Sequence, residues 1–144
     1  MPAVDPAAVR LAQEGDIPRL MEIRVSVAEN RLSDPGSIAA ADYRRFVEDR
    51  RCWAWEADGA VSGFAALDAD AASVWALFVL PDAQGRGGGR ALLERLLGEA
   101  RRRGLAEIRL TTEAGSRAEL FYRAAGWEAA GREAEGELHL RLRL

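Results

Sequence analysis

A mixed α/β sheet domain is the fold class this sequence predicts, and three observations predict it. Segments in which apolar residues alternate are interleaved with segments in which they recur at helical spacing. Asp58-Gly59 links two alternating segments, so part of the sheet is antiparallel. A glycine-rich stretch separates an almost wholly apolar strand from an amphipathic helix, the arrangement of a strand-loop-helix unit.

The elements follow in order. Val9 to Ala12 reads as a short strand. In Gly15-Asp16-Ile17-Pro18, Asp16 is placed to cap a helix and Pro18 is tolerated in its first turn. The helix runs towards Asn30, with Ile17, Leu20, Met21, Val27 and Ala28 on one face, and Ser33-Asp34-Pro35-Gly36 breaks it. A second helix spans about Ala39 to Asp49, turning Tyr43, Phe46 and Val47 inward. Cys52 to Glu56 and Val61 to Leu67 form the hairpin strands. Ser73 to Leu80 is nearly all apolar, which predicts a central strand covered on both faces, and Pro81 closes it.

From Gly88 or Gly89 to Arg103, the residues Leu92, Leu93, Leu96, Leu97 and Ala100 trace one helical face, with Gly104 at the expected left-handed cap. Arg101 to Arg103 suit the negative end of that helix. The strand Glu107 to Thr112 leads to Ser116-Arg117-Ala118-Glu119, a capping box opening a short helix that Gly126 ends. Glu137 to Leu144 alternates strictly, with Leu138, Leu140, Leu142 and Leu144 on one face.

With 144 residues, 49% apolar and 30% charged, the chain is long enough to bury a core as one domain spanning residues 1–144. Cys52 is the single cysteine, and no Cys/His cluster has metal-ligand spacing, so a disulfide scaffold and a metal site are both unexpected. A reducing cytoplasm fits, and neither an export signal nor a membrane span is read from the sequence. All 20 basic residues are arginine, so a P-loop, which needs a lysine, is excluded. The net charge of -3 gives no support to nucleic-acid binding.

Gln84-Gly85-Arg86-Gly87-Gly88-Gly89-Arg90 is the chemically informative segment. Bare glycines let backbone N–H groups approach an anion, and the positive end of the following helix adds a favourable field, so the loop can cradle phosphate. Arg86 and Arg90 can add charge. A dinucleotide G-x-G-x-x-G pattern fails: its last position is Arg90 counting from Gly85 and Leu92 counting from Gly87.

These residues resemble the Q/R-x-x-G-x-G/A motif of the GNAT superfamily of N-acetyltransferases. Leu77-Phe78-Val79-Leu80-Pro81 and Arg90-Ala91-Leu92-Leu93 look like its flanks, and Leu120-Phe121-Tyr122-Arg123-Ala124-Ala125-Gly126-Trp127 resembles its second block. The resemblance covers nearly the whole chain. It implies a GNAT fold of six to seven mixed strands flanked by about four helices, and acetyl-CoA as cosubstrate without a metal.

On that resemblance, Gln84, Gly85, Arg86, Gly87, Gly88, Gly89 and Arg90 hold the pyrophosphate of coenzyme A. Leu77, Phe78 and Val79 pair with its pantetheine arm, and an N–H at or next to Phe78 polarises the acetyl carbonyl. Tyr122 matches the tyrosine that protonates the departing thiolate; the alternative is a core tyrosine beside Phe121. Gly115 stands where many relatives carry an asparagine that bonds the cofactor arm. Ser116 is read as a cap rather than a replacement.

The resemblance implies an amine acceptor, small or part of a peptide or protein, and makes Glu29 the candidate base, a solvated carboxylate being the alternative. Asn30, Ser33 and Asp34 lie close by in sequence. Glu113 reads as a strand-end charge, and His139, off the leucine face, as an exposed or edge residue. Trp53, Trp55, Trp75 and Trp127 are expected mostly in the core. A GNAT-fold acyl-CoA sensor without turnover is the competing reading, and the last strand is expected to offer an edge for a homodimer.

Overall fold

The structure is a computed structural model that describes residues 8–28, 39–132 and 136–144. Its strands are β1 (Val9–Leu11), β2 (Cys52–Ala57), β3 (Ala60–Asp68), β4 (Ser73–Val79), β5 (Glu107–Glu113), β6 (Glu128–Arg132) and β7 (Glu137–Arg143). Its α-helices are α1 (Ile17–Ala28), α2 (Ala40–Glu48), α3 (Gly88–Arg102) and α4 (Arg117–Ala124). The strands form one sheet in the order β1-β2-β3-β4-β5-β7-β6, antiparallel throughout except between β4 and β5.

Each sheet face has its own core. On one, α1 and α2 bury Ile17, Leu20, Ile23, Tyr43 and Phe46 against Cys52, Ala54, Phe64, Ala66 and Ala76. On the other, Leu92, Leu93, Leu96, Leu97 and Ala100 of α3 meet Trp53, Trp55, Ala65 and Leu67, and Tyr122 lies in the same cluster as Ile108, Leu110, Leu138 and Leu140. The alternation read in β2 thus sends Trp53 and Trp55 to the α3 side. The Asp58-Gly59 turn has both central residues at positive φ, 55° and 83°, the geometry that matches the twist of its flanking strands. Gly104, at φ 82°, caps α3: its N–H reaches the Arg101 carbonyl and that of Leu105 reaches Ala100.

Three expectations are corrected. The Asp16 carboxylate does not cap α1. It ends a 3₁₀ turn (Glu14–Asp16) and accepts from the Gln13 N–H at 2.7 Å and from the Arg10 guanidinium at 2.8 Å. β4 is central, yet only Ala76 is buried and the other six residues are half-exposed, because β5 leaves its side. β7 is no edge: β5 and β6 occupy its two sides, so it offers no template to a second copy.

Candidate active site

The gap between β4 and β5 dominates the site. The two strands register at a single pair, Ser73 with Arg109, reinforced by the Arg109 N–H on the Ala72 carbonyl at 2.9 Å, and then diverge. On its other side β4 stays paired with β3 through Val79, opposite Gly63. Trp75 is the extra residue of a bulge, since Ala66 pairs with Ala76 while Leu67 pairs with Val74; Trp75 and Ala76 therefore both face α1 and α2.

The register decides which backbone groups face the gap. The Leu80 N–H donates to the Ser62 carbonyl at 2.9 Å, which makes 62 and 80 a bonded pair, and by alternation Phe78 also bonds towards β3. Leu77 and Val79 then turn their N–H and C=O groups into the gap. Of the three residues expected to meet the pantetheine arm, Phe78 is thus excluded as a backbone contact because its peptide groups belong to β3. The Val79 carbonyl accepts from Gln84 Nε2 at 3.3 Å, which folds the glutamine side chain over the end of β4.

The glycine-rich loop leads into α3 at the mouth of this gap. Gly87, at φ 84°, is the residue before the helix, with no side-chain cap, and the first intrahelical bond runs from the Ala91 N–H to its carbonyl at 3.0 Å. The N–H groups of Gly88, Gly89 and Arg90 therefore have no acceptor one turn back and point out of the positive helix end. Arg90 is exposed there. Arg86 instead makes a bidentate pair with Asp58, at 2.8 and 3.3 Å, tying the loop to the β2–β3 turn. Asp58 is held below the usual carboxylate range by that hydrogen bond.

The helix start is seated by contacts from distant elements. A Cβ on Gly88 would lie 2.5 Å from Trp55 ring atoms, so packing alone requires this glycine to be bare. A Cβ on Gly89 would lie 3.5 Å from the Phe121 ring and 3.8 Å from Val79. The loop, the open end of β4 and α4 thus meet within van der Waals distance.

α4 opens with Ser116 Oγ accepting the Glu119 N–H at 3.2 Å. The Glu119 carboxylate reaches back to the Gly115 N–H at 2.7 Å and also pairs with Arg123, one residue displaced from the expected capping box. Tyr122 packs edge-on against Phe121 and Trp127, with ring centroids 5.1 and 5.2 Å away, and its hydroxyl pKa is pushed up by burial. The helix is closed by Gly126, at φ 98°, with the Trp127 N–H on the Tyr122 carbonyl at 3.0 Å. That bond fixes Tyr122 at the last turn.

The family model of the Acetyltransferase (GNAT) family matches residues 17–127, well over half of the chain. The chain belongs to that family. A ribosomal-protein-alanine N-acetyltransferase from Brucella melitensis is 26% identical, with 94% of this chain and 99% of that one covered at a TM-score of 0.76. The PaiA N-acetyltransferase of Thermoplasma acidophilum, solved with coenzyme A, is 17% identical, with 94% and 98% covered at 0.79. YncA of Salmonella typhimurium, solved with its cofactor acetyl-CoA, is 23% identical, with 94% and 92% covered at 0.77. No curated protein sequence matches.

Within the GNAT fold the residues read from the sequence separate into groups. Gln84 and Gly89 meet the end of β4 at Val79, next to Leu77, while Arg86 is turned to Asp58 and Phe78 contributes its side chain to the α1 side. Glu29, with Asn30, Ser33 and Asp34, lies outside the described residues. Gly115 sits at φ 81°, a left-handed conformation that favours glycine. His139 is half-buried on the polar face of β7, with Nδ1 at 3.5 Å from Thr111 Oγ1.

Glu113 is exposed at the end of β5. Trp53, Trp55 and Trp127 are buried, while Trp75 is half-buried against Phe46 and Tyr43. Among the described residues there is no cluster of metal-ligating side chains and no helix long and apolar enough to cross a membrane.

Two participants escaped the sequence reading. Trp55, far before the loop in sequence, has no local signal linking it to Gly88. Arg24 did have one: it falls on the helical stripe of Ile17, Leu20, Met21 and Val27, where an apolar residue is expected.

Proposed function

We propose that this chain transfers the acetyl group of acetyl-CoA to a primary amine, both substrates being bound together. The observation that carries this is the backbone edge of Leu77 and Val79, which no strand pairs, opening beside the uncapped N–H groups of Gly88, Gly89 and Arg90. The spacing suits a cosubstrate with an extended amide arm and a pyrophosphate. Acetyl-CoA supplies an activated thioester, so the work left to the protein is binding, orientation and charge stabilisation.

Gly85 to Arg90 hold the pyrophosphate through backbone N–H groups, and Arg90 adds a cation; Arg86 helps only by exchanging Asp58 for phosphate. Leu77 and Val79 receive the pantetheine amides as a strand would. The Leu77 N–H, rather than that of Phe78, faces the acetyl oxygen, and one such donor in acyl transfer is worth about 2.7–4 kcal/mol.

Tyr122 faces the departing sulfur. Burial raises its pKa, which keeps the phenol protonated at neutral pH but makes full transfer to a thiolate of pKa about 8.5 unfavourable. Its contribution is therefore a hydrogen bond to the developing thiolate. The amine must arrive neutral, and Glu29, next after Ala28 in sequence, is our proposed base on family resemblance. A reducing cytoplasm is proposed from Cys52, whose thiol is buried and pushed up to about 12, hence inert.

The test is calorimetric titration with acetyl-CoA, followed by thiol release against a panel of amines. Binding and release for one amine class are expected. Binding without release would leave an acyl-CoA-binding module and overturn the transferase reading; absence of binding would overturn the site itself.

A further inference from the structure

Arg24 stands apart from the other half-buried arginines. Arg10 is paired with Asp16 and Glu56, Arg19 with Glu22, Arg103 with Glu99 and Asp49, Arg141 with Glu128, and the buried Arg51 with Asp49. Arg24 has no carboxylate among the described residues. Its guanidinium carbon lies 4.6 Å from the Trp75 ring centroid and 5.0 Å from that of Phe78. Nη2 makes one long contact, 3.5 Å, with the Trp75 carbonyl, and the Tyr43 hydroxyl lies beside the group. Nη1 is shielded from solvent and has no hydrogen-bond partner among the described residues.

A guanidinium cannot shed its proton to escape this situation. A half-buried guanidinium with one shielded, unpartnered nitrogen carries a desolvation cost, and the rings beside it supply only part of what a counter-ion would. The group is therefore built to be completed by an anion that arrives from outside. Its fork geometry favours a carboxylate, which can accept two parallel hydrogen bonds.

The position says which molecule brings that carboxylate. Phe78, under the guanidinium, sits between Leu77 and Val79, the residues whose backbone faces the gap. The anion thus lies on the α1 side of β4, within a residue of where the acetyl carbonyl is held. A coenzyme A phosphate is placed at the far end of the arm, by α3. The acceptor, however, must bring its amine to this point. Amine and carboxylate then have to be a few bonds apart, as in a free amino acid, and a fixed positive charge here disfavours polyamines.

We infer that Arg24 receives the carboxylate of the acceptor, and that the amines acetylated by this chain are those of free amino acids. The inference rests on the transferase reading above. Arg24 acts by positioning the acceptor, with Trp75, Phe78 and Tyr43 forming the apolar wall beside it.

The test compares each of the twenty L-amino acids with its own carboxamide in thiol release by the intact protein. The carboxamides have the less basic amines, so intrinsic reactivity at neutral pH favours them, and a preference for the acids has to come from recognition. For the amino acids that react, kcat/KM is expected to exceed that of the carboxamide by about tenfold or more, and Arg24→Gln is expected to shrink the ratio about 10- to 100-fold, with Arg24→Lys restoring part of it. Equal or better turnover of the carboxamides by the unmutated protein overturns the inference, and this arm stands even where a variant does not fold. An Arg24→Gln protein that loses both substrates alike, with the ratio unchanged, also overturns it, because that is what a purely structural arginine would do. A second readout separates this from failure of the transferase reading: calorimetric binding of N-acetyl amino acids and their amides to the protein loaded with coenzyme A. If nothing releases thiol although acetyl-CoA binds, tighter binding of the acids still supports the Arg24 site, and equal or absent binding sinks it.

Discussion

Replacing Gly88 by alanine tests whether the helix start is held by packing against Trp55. The added Cβ would sit 2.5 Å from two ring atoms of Trp55 and 2.6 Å from a third. Carbon atoms in contact prefer about 3.5–4.0 Å, so α3 or the indole must move by about 1 Å. Trp55 is only 4% exposed and is enclosed by the α3-side core, so it has no space to retreat into. Overpacking of this kind costs about 1–3 kcal/mol.

Gly98, on the same helix, is exposed, and its Cβ would meet nothing within 4 Å, so Gly98→Ala is the matched control. Relief of the glycine penalty should stabilise that variant by about 0.5–1 kcal/mol. At about 4 °C per kcal/mol for a domain of this size, the two alanines move the melting temperature in opposite directions, down by about 4–12 °C for Gly88 and up by about 2–4 °C for Gly98. Thermal unfolding followed by circular dichroism measures both. An unchanged or raised melting temperature for Gly88→Ala would refute the packing argument, and the glycine would then be there for the anion alone.

Three further outcomes are expected. Tyr122→Phe should lower kcat about 10²-fold with little change in acetyl-CoA affinity, and unaltered turnover removes Tyr122 from the mechanism. Gly87→Glu puts a carboxylate and a strained left-handed residue beside the anion cradle; calorimetry should show at least about tenfold weaker binding of acetyl-CoA, and an unchanged affinity would contradict the loop assignment. Glu99 is held down to about 2 by hydrogen bonds from Arg102 and then Arg103. A depressed carboxylate stabilises the fold above its ordinary value of 4.5 and loses that contribution as pH falls towards about 2, so the unmutated protein should lose more stability over this window than Glu99→Gln in pH-dependent urea unfolding.

The sequence by itself determined the elements and the loop. Leu92, Leu93, Leu96, Leu97 and Ala100 mark the buried face of α3 through helical period alone, and Asp58-Gly59 specifies its turn through the φ angles it tolerates. Family likeness could be read for the same reason, because Gln84 to Arg90 and the block around Tyr122 are contiguous stretches whose chemistry is local. What the tertiary structure decided depends on residues far apart in the chain. The register of β3 on β4 assigns the gap to Leu77 and Val79 and withholds Phe78, since a shift of one residue reverses every peptide group. β7, the final strand in sequence, is interior because β6 folds back outside it. Trp55 under Gly88 and Arg24 over Phe78 arise where elements cross, and a periodicity of 2 or 3.6 residues carries no information about what lies opposite.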